Sequence, residues 1–186
     1  MKQKLFNLDQ SIAWLKQSNI LIHPSESIWG IGCDAENEKS IDKIYKLKKR
    51  AKNKNFILLS NSIEKALFFA DNINDDKLNF ISSKWPGPNT LVIKYNNKLP
   101  SHLKNETGKI AIRVSDHLPI KRLFSGLDNF FVSTSANLSG AKNINDPNEV
   151  LNFFDYKDLA YYDADLGSLN KPSTIVDLES KEIIRD

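Results

Sequence analysis

The segment Ser133-Thr134-Ser135-Ala136-Asn137-Leu138-Ser139-Gly140 follows the apolar run Phe130-Phe131-Val132. It brings four hydroxyls, a carboxamide and a glycine to the place where a buried strand should emerge from a sheet. Open α/β sheets bind ligands at the carboxyl ends of their strands, where backbone donors and short polar side chains converge. Such a loop can hold a polyanion or an amino acid without a formal charge of its own, although a polar turn capping a helix has the same composition. The missing charge lies upstream in Lys46-Leu47-Lys48-Lys49-Arg50-Ala51-Lys52-Asn53-Lys54, six cations in nine positions. Cations at a helix C-terminus also complement the macrodipole, and lysine runs are commonly solvated faces. Lys48 and Arg50 lie two apart and would diverge on a continuous helix, so acting together requires the helix to end there. Arg113 interrupts the apolar strand pattern of Ile110-Ala111-Ile112-Arg113-Val114 and calls for a carboxylate or phosphate partner. A further polar segment, His23-Pro24-Ser25-Glu26-Ser27-Ile28-Trp29-Gly30-Ile31-Gly32, leaves another strand.

More familiar phosphate and nucleophile motifs are absent. No G-x-x-x-x-G-K-[ST] occurs, and Gly30 and Gly32 lack the third glycine of a dinucleotide fingerprint. No paired-carboxylate or Ser-His-Asp pattern is present. His117 beside Asp116 reads as a helix start, and Cys33 as packing. A site of lysine, arginine, hydroxyls and amides without a nucleophile suits adenylyl or phosphoryl transfer by positioning and charge neutralisation. The three histidines, His23, His102 and His117, show no metal-ligand spacing. With one cysteine an intrachain disulfide is excluded, which fits a reducing cytoplasm.

These groups need a scaffold, and the hydrophobic periods supply one. Helices are predicted over 7–18, 37–50, 63–71, 75–84, 119–127 and 147–154. Strands are predicted over 20–22, 56–60, 90–95, 109–114, 130–133, 159–162, 173–178 and 182–184. Residues 25–34 read as a small-residue loop, and Trp85-Pro86-Gly87-Pro88 as a break. Interleaved strands and helices predict an α/β fold with an open, twisted, mixed sheet and flanking helices. The 186 residues, 40% hydrophobic, suit one domain over 1–186. No repeat, linker or bilayer-length apolar run divides the chain, and residues 1–14 do not form a signal peptide. A net charge of +3 is too small by itself to establish a nucleic-acid partner.

In order along the chain, the motifs resemble those of the YrdC/Sua5 family of threonylcarbamoyl-AMP synthases, from about Leu5 onward. His23-Pro24-Ser25-Glu26-Ser27-Ile28-Trp29-Gly30 is similar to Y-P-T-E-T-x-Y-G, and Lys48-Lys49-Arg50 with Lys54 to K-x-R-P-x-x-K. Trp85-Pro86-Gly87-Pro88-Asn89-Thr90 resembles W-P-G-P-x-T, and Arg113-Val114-Ser115-Asp116-His117 resembles R-x-P-x-H or R-V-x-D-H. The 133–140 segment resembles S-T-S-A-N-x-S-G, and Pro172-Ser173-Thr174-Ile175-Val176-Asp177 resembles P-S-T-I-V-D. Six motifs in order are specific where one is weak. The length resembles the short bacterial form of the family, a single domain with a concave basic pocket.

The resemblance implies synthesis of L-threonylcarbamoyladenylate and pyrophosphate from L-threonine, bicarbonate and ATP, with Mg2+ entering with the ATP. A threonylcarbamoyl transferase complex would then modify tRNA beside the anticodon. It implies catalytic roles for Lys48, Arg50, Ser135 and Asn137, and ATP contacts from Arg50, Lys54, Ser135, Asn143 and Ser173. Ser27, Arg113 and Ser133 would hold threonine, with no protein metal site. The chain departs from the family pattern at His23, Ser25, Ser27 and Trp29 near the threonine end, and at Ala51 and Asn55 in the cationic loop. A double-stranded RNA- or tRNA-binding module, or a ribosome-maturation module, without catalysis is the competing reading. A carbamoyl-phosphate-type transfer domain is a third. Intact Lys48, Arg50, Ser135 and Asn137 favour catalysis, since an RNA groove could use any cations.

Overall fold

Asn7 starts the first helix with a reciprocal cap: its side chain accepts from the Gln10 amide, and the Gln10 side chain accepts from the Asn7 amide. Similar single caps from Asn37, Ser62 and Asn74 open three later helices. The computed structural model describes residues 4–52, 55–128, 130–138, 140–154 and 156–186. Within them the order is β1 (Leu5–Phe6), α1 (Leu8–Lys16), β2 (Ile20–His23), β3 (Gly30–Asp34), α2 (Glu38–Leu47), β4 (Ile57–Ser60), α3 (Ile63–Leu67), α4 (Asp75–Lys84) and β5 (Asn89–Lys94). A short 3-10 turn, β6 (Lys109–Val114), α5 (Leu118–Leu123), β7 (Phe131–Ser135), α6 (Pro147–Phe154), β8 (Leu159–Tyr162), β9 (Thr174–Asp177) and β10 (Ile183–Arg185) complete the chain.

All ten strands form one sheet in the order β1-β8-β2-β3-β7-β4-β6-β5-β9-β10. Parallel pairs (β1 with β8, β4 with β6, β5 with β9) mix with antiparallel ones (β2 with β3, β3 with β7, β4 with β7). The α/β fold with a mixed open sheet is therefore as expected. Successive strand residues go to opposite faces. Ile20, Ile22, Leu58 and Val132 pack into one core, while Leu21, Leu59 and Phe131 join Leu15, Ile120 and Leu123 in the other. Burial on both faces is why these strands read as unbroken apolar runs.

The structure differs from the predicted elements where tertiary contacts act. The expected loop over 25–34 is extended from Gly30 to Asp34, because β3 pairs with β2 on one side and β7 on the other. The 63–71 helix stops at Leu67, since Ala70 bridges to Tyr95 and the Phe69 carbonyl accepts from the Asn96 amide. The 119–127 helix stops at Leu123, and the 130–133 strand runs on through Ser135. Thr134 and Ser135 are thus strand residues, like Ser133, and not part of an emerging loop. The 37–50 helix ends at Leu47, and Lys49 takes a left-handed φ of 48°. Among the described residues no helix is long and apolar enough to cross a membrane.

Candidate functional site

Ile57 on β4 faces Ser133 on one side and Ala111 on the other, and Arg113 follows Ala111 by two positions. Ser133, Ala111 and Arg113 therefore share one face of the sheet. Above them lies a cavity of about 250 Å³. Its walls are the 25–30 segment entering β3, Arg50 with Asn55 and Phe56 before β4, residues 133–135 of β7, Asn143, and Pro172, Ser173 and Arg185 near the chain end. Among the described residues three arginines and no carboxylate line it. Such a lining favours anions.

Seven of the sequence-predicted residues meet at this cavity: Ser27, Arg50, Arg113, Ser133, Ser135, Asn143 and Ser173. Lys54 lies outside the described residues. Lys48 and Asn137 do not line the cavity. Lys48 is 1% exposed, and its ammonium donates to the carbonyls of Ser135 and Asn137 and, at 3.2 Å, to Asn137 Oδ1. Asn137 Oδ1 also accepts from Ser135 Oγ at 2.6 Å, and its Nδ2 donates to the Ala141 carbonyl. The helix does end at Leu47, but Lys48 and Arg50 do not converge: the lysine goes beneath the β7 terminus and the arginine to the cavity wall. Burial, followed by the charge of Arg50, lowers the Lys48 pKa to about 7.

Arg50 extends from the left-handed turn. Its Nη2 donates to the Asn55 carbonyl at 2.6 Å, and its guanidinium lies 5.1 Å from the Phe56 ring centroid. Arg113 has the carboxylate partner its position demanded: Nη1 is 3.4 Å from Glu26 Oε2. Glu26 Oε1 accepts from Ser115 Oγ at 2.6 Å. Arg113 Nε and Glu26 Oε2 are buried without a hydrogen-bond partner among the described residues. Burial lowers the guanidinium pKa while Glu26 raises it, so the group stays cationic.

Three contributors escaped the sequence reading. Glu26 was part of a motif but carried no assigned role. Arg185 reaches in from the edge strand, donating from Nη2 to the Ser173 carbonyl at 2.8 Å, and nothing local marks it. His23 is fully buried, with Nε2 3.1 Å from Ser133 Oγ. His117 only approaches the Asp165 carbonyl at 3.1 Å, and burial raises the pKa of the Cys33 thiol. Among the described residues no group of three or more His, Cys, Asp or Glu is placed to hold a metal ion.

Burial lowers the His23 pKa to about 4, with Arg113 and His117 adding to the effect and the Pro24 hydrogen bond opposing it. An unfolded histidine takes its proton near pH 6.5. The unfolded state therefore binds more protons as pH falls from about 6.5 to about 4, and the fold loses up to about 3 kcal/mol across that window. Urea unfolding at pH 7 and pH 4.5 measures this as a lower midpoint at the acid pH. A His23→Gln variant should lack that part of the slope.

The family model described as "Telomere recombination" (Sua5/YciO/YrdC) matches residues 13–186. A protein of Saccharophagus degradans named threonylcarbamoyl-AMP synthase is 33% identical over 178 residues, 96% of this chain and 93% of its own length. The crystal structure of E. coli YciO superposes with a TM-score of 0.86 at 20% identity, covering 99% of this chain and 95% of that one. P. abyssi Sua5, crystallised with L-threonine, gives 0.83 at 20% identity over 94% of this chain. The present chain spans about half of that longer protein, 54%. Likeness at this identity establishes the fold, and the closer sequence match goes further. With a cationic cavity on that fold and one family pattern running from residue 13 to residue 186, the chain belongs to the Sua5/YciO/YrdC family.

Proposed function

We propose that this chain is a threonylcarbamoyl-AMP synthase that joins L-threonine, bicarbonate and ATP. The observation carrying this reading is the convergence of Arg50, Arg113 and Arg185 with the hydroxyls of Ser25, Ser27, Ser133, Ser135 and Ser173 on one cavity. The relative named threonylcarbamoyl-AMP synthase and the neighbour holding L-threonine support it. In the reaction, the threonine amine adds to bicarbonate with loss of water, giving a carbamate. A carbamate oxygen then attacks the α-phosphorus of ATP, and the bond to the bridging oxygen breaks as pyrophosphate leaves.

The carbamate and the ATP it attacks are both anions, so charge neutralisation is the protein's main task. Arg113 grips the threonine carboxylate with the guanidinium hydrogens that Glu26 does not engage, and Ser27 and Ser133 hold the rest of the amino acid. Arg50 faces the phosphates, with Ser135, Asn143 and Ser173 on the rest of the nucleotide, and the family motif assigns Lys54 a phosphate contact as well. Magnesium enters as part of the nucleotide substrate. Lys48 and Asn137 act from beneath, holding the β7 terminus in place. The adenylate then passes to a transferase that modifies tRNA.

The test is pyrophosphate release by purified protein with magnesium. Release should require L-threonine and bicarbonate together. Turnover that ignores either one, or salt-sensitive RNA binding with no turnover, overturns the reading. Arg50→Ala should lower turnover by about tenfold or more. Its thermal midpoint should stay within a few degrees of the wild type, because a carbonyl hydrogen bond and a ring contact from a partly buried cation contribute little stability.

A further inference from the structure

His23 on β2 reaches Ser133 on β7 by crossing the strand between them. In register His23 faces Gly30 of β3, and Gly32 of β3 faces Ser133. A Cβ at Gly30 would lie 2.5 Å from His23 Nε2 and 3.2 Å from Ser133 Oγ. One at Gly32 would lie 2.3 Å from the Phe131 ring. The two glycines make a bare strip across β3, and two rings occupy it: imidazole and phenyl meet edge to face with centroids 5.0 Å apart. At Gly30 the imidazole excludes a side chain, and at Gly32 the Phe131 ring and the Val132 carbonyl both do, each 2.3 Å from that Cβ position.

The hydrogen bonds fix the direction of each proton. His23 Nδ1 is 3.1 Å from the Pro24 carbonyl oxygen, which can only accept, so Nδ1 carries the hydrogen. Burial keeps the ring neutral at ordinary pH, leaving a lone pair on Nε2. The hydrogen in the 3.1 Å contact between Nε2 and Ser133 Oγ must then come from the serine. Ser133 Oγ has no second hydrogen to give. It presents only lone pairs to the cavity it lines.

We propose that His23 is a positioning residue that makes Ser133 an obligate hydrogen-bond acceptor, and that Ser133 accepts the N–H of the amino-acid substrate's α-nitrogen. This rests on the reading of the cavity as the threonine site. With the carboxylate on Arg113 and the nitrogen on Ser133, the substrate is held at two points on one face of the sheet. The nitrogen keeps one hydrogen in both the free amine and the carbamate, so the contact survives the first step of the reaction. A Ser133 hydroxyl free to rotate could instead donate, and would then compete for the carboxylate held by Arg113.

Calorimetric titration of L-threonine tests this without relying on turnover. His23→Phe keeps a ring on the glycine strip and removes the acceptor. His23→Phe and Ser133→Ala should each weaken binding about tenfold, the size of one good hydrogen bond to a charged group. The double variant should bind no more weakly than Ser133→Ala, since His23 acts through that hydroxyl. Nitrogen NMR of the wild type should show His23 with its proton on Nδ1. An Nε2–H tautomer, losses that add in the double variant, His23→Phe binding within about twofold of wild type, or a wild type that does not bind L-threonine would each overturn the proposal. Pyrophosphate release judges the reaction separately, so a chain that binds threonine through this pair yet makes no pyrophosphate sinks only the functional reading.

Discussion

Arg113→Met should cost about 3 kcal/mol of stability, because it strands the Glu26 carboxylate in the interior without its cation. Both side chains are over nine-tenths buried, and Glu26 Oε2 has no hydrogen bond to fall back on. The same change should lower kcat/KM for the amino acid about a hundredfold, since a desolvated guanidinium–carboxylate contact is lost. Urea unfolding with linear extrapolation measures the first effect and steady-state kinetics the second. Pairing Arg113→Met with Glu26→Gln separates the causes. Stability should partly return, because an amide is far less costly to bury than an unpaired charge, while activity should not. If the double variant is as unstable as the single one, lost packing of the arginine stem accounts for the destabilisation instead.

Lys48→Met should be nearly as damaging for a different reason. The methionine fills much of the same space but leaves the carbonyls of Ser135 and Asn137 and the Asn137 Oδ1 without their shared donor. The Ser135 carbonyl keeps the Asn137 amide and Asn137 Oδ1 keeps Ser135 Oγ, so the loss falls chiefly on the Asn137 carbonyl and should lower stability by about 1–3 kcal/mol. Turnover should fall about tenfold or more, since the β7 terminus that carries Ser135 is no longer anchored. Hydrogen exchange checks the mechanism: the amides of Ala136 and Asn137, which now bond to the carbonyls of Trp29 and Ser135, should exchange faster than in the wild type. Lys48→Arg should not rescue either property, because a planar guanidinium does not fit a point-charge pocket that is 1% exposed.

How far the chain was legible can be judged from particular segments. The strand over 109–114, the helix over 147–154 and the strand over 159–162 agree end to end with their local periods. The partner demanded by Arg113 was predictable, because the penalty for burying a bare guanidinium does not depend on the fold. Its identity as Glu26, 87 positions away, was not. The strand at Gly30–Asp34 was missed because two glycines weaken the local strand signal. Their reason for being there, the rings of His23 and Phe131 lying over them, exists only once β2, β3 and β7 are side by side.

Side-chain direction was the hardest property to read. The helix was expected to end at the cationic segment so that Lys48 and Arg50 could act together; it ends at Leu47, yet the two side chains still part. Only the assembled sheet sends Arg50 to the cavity and Lys48 beneath it. Arg185 shows the same limit, a penultimate residue with no motif around it that reaches the cavity because β10 pairs with β9.

Sequence by itself determined the α/β class, most helices and strands, and the residue types of a cationic, hydroxyl-rich site, because periodicity, capping and the cost of burying charge act locally. Tertiary structure alone decided which of those groups face one another. Register between strands remote in the chain sets the face each side chain takes, and burial then decides which protons and charges it keeps.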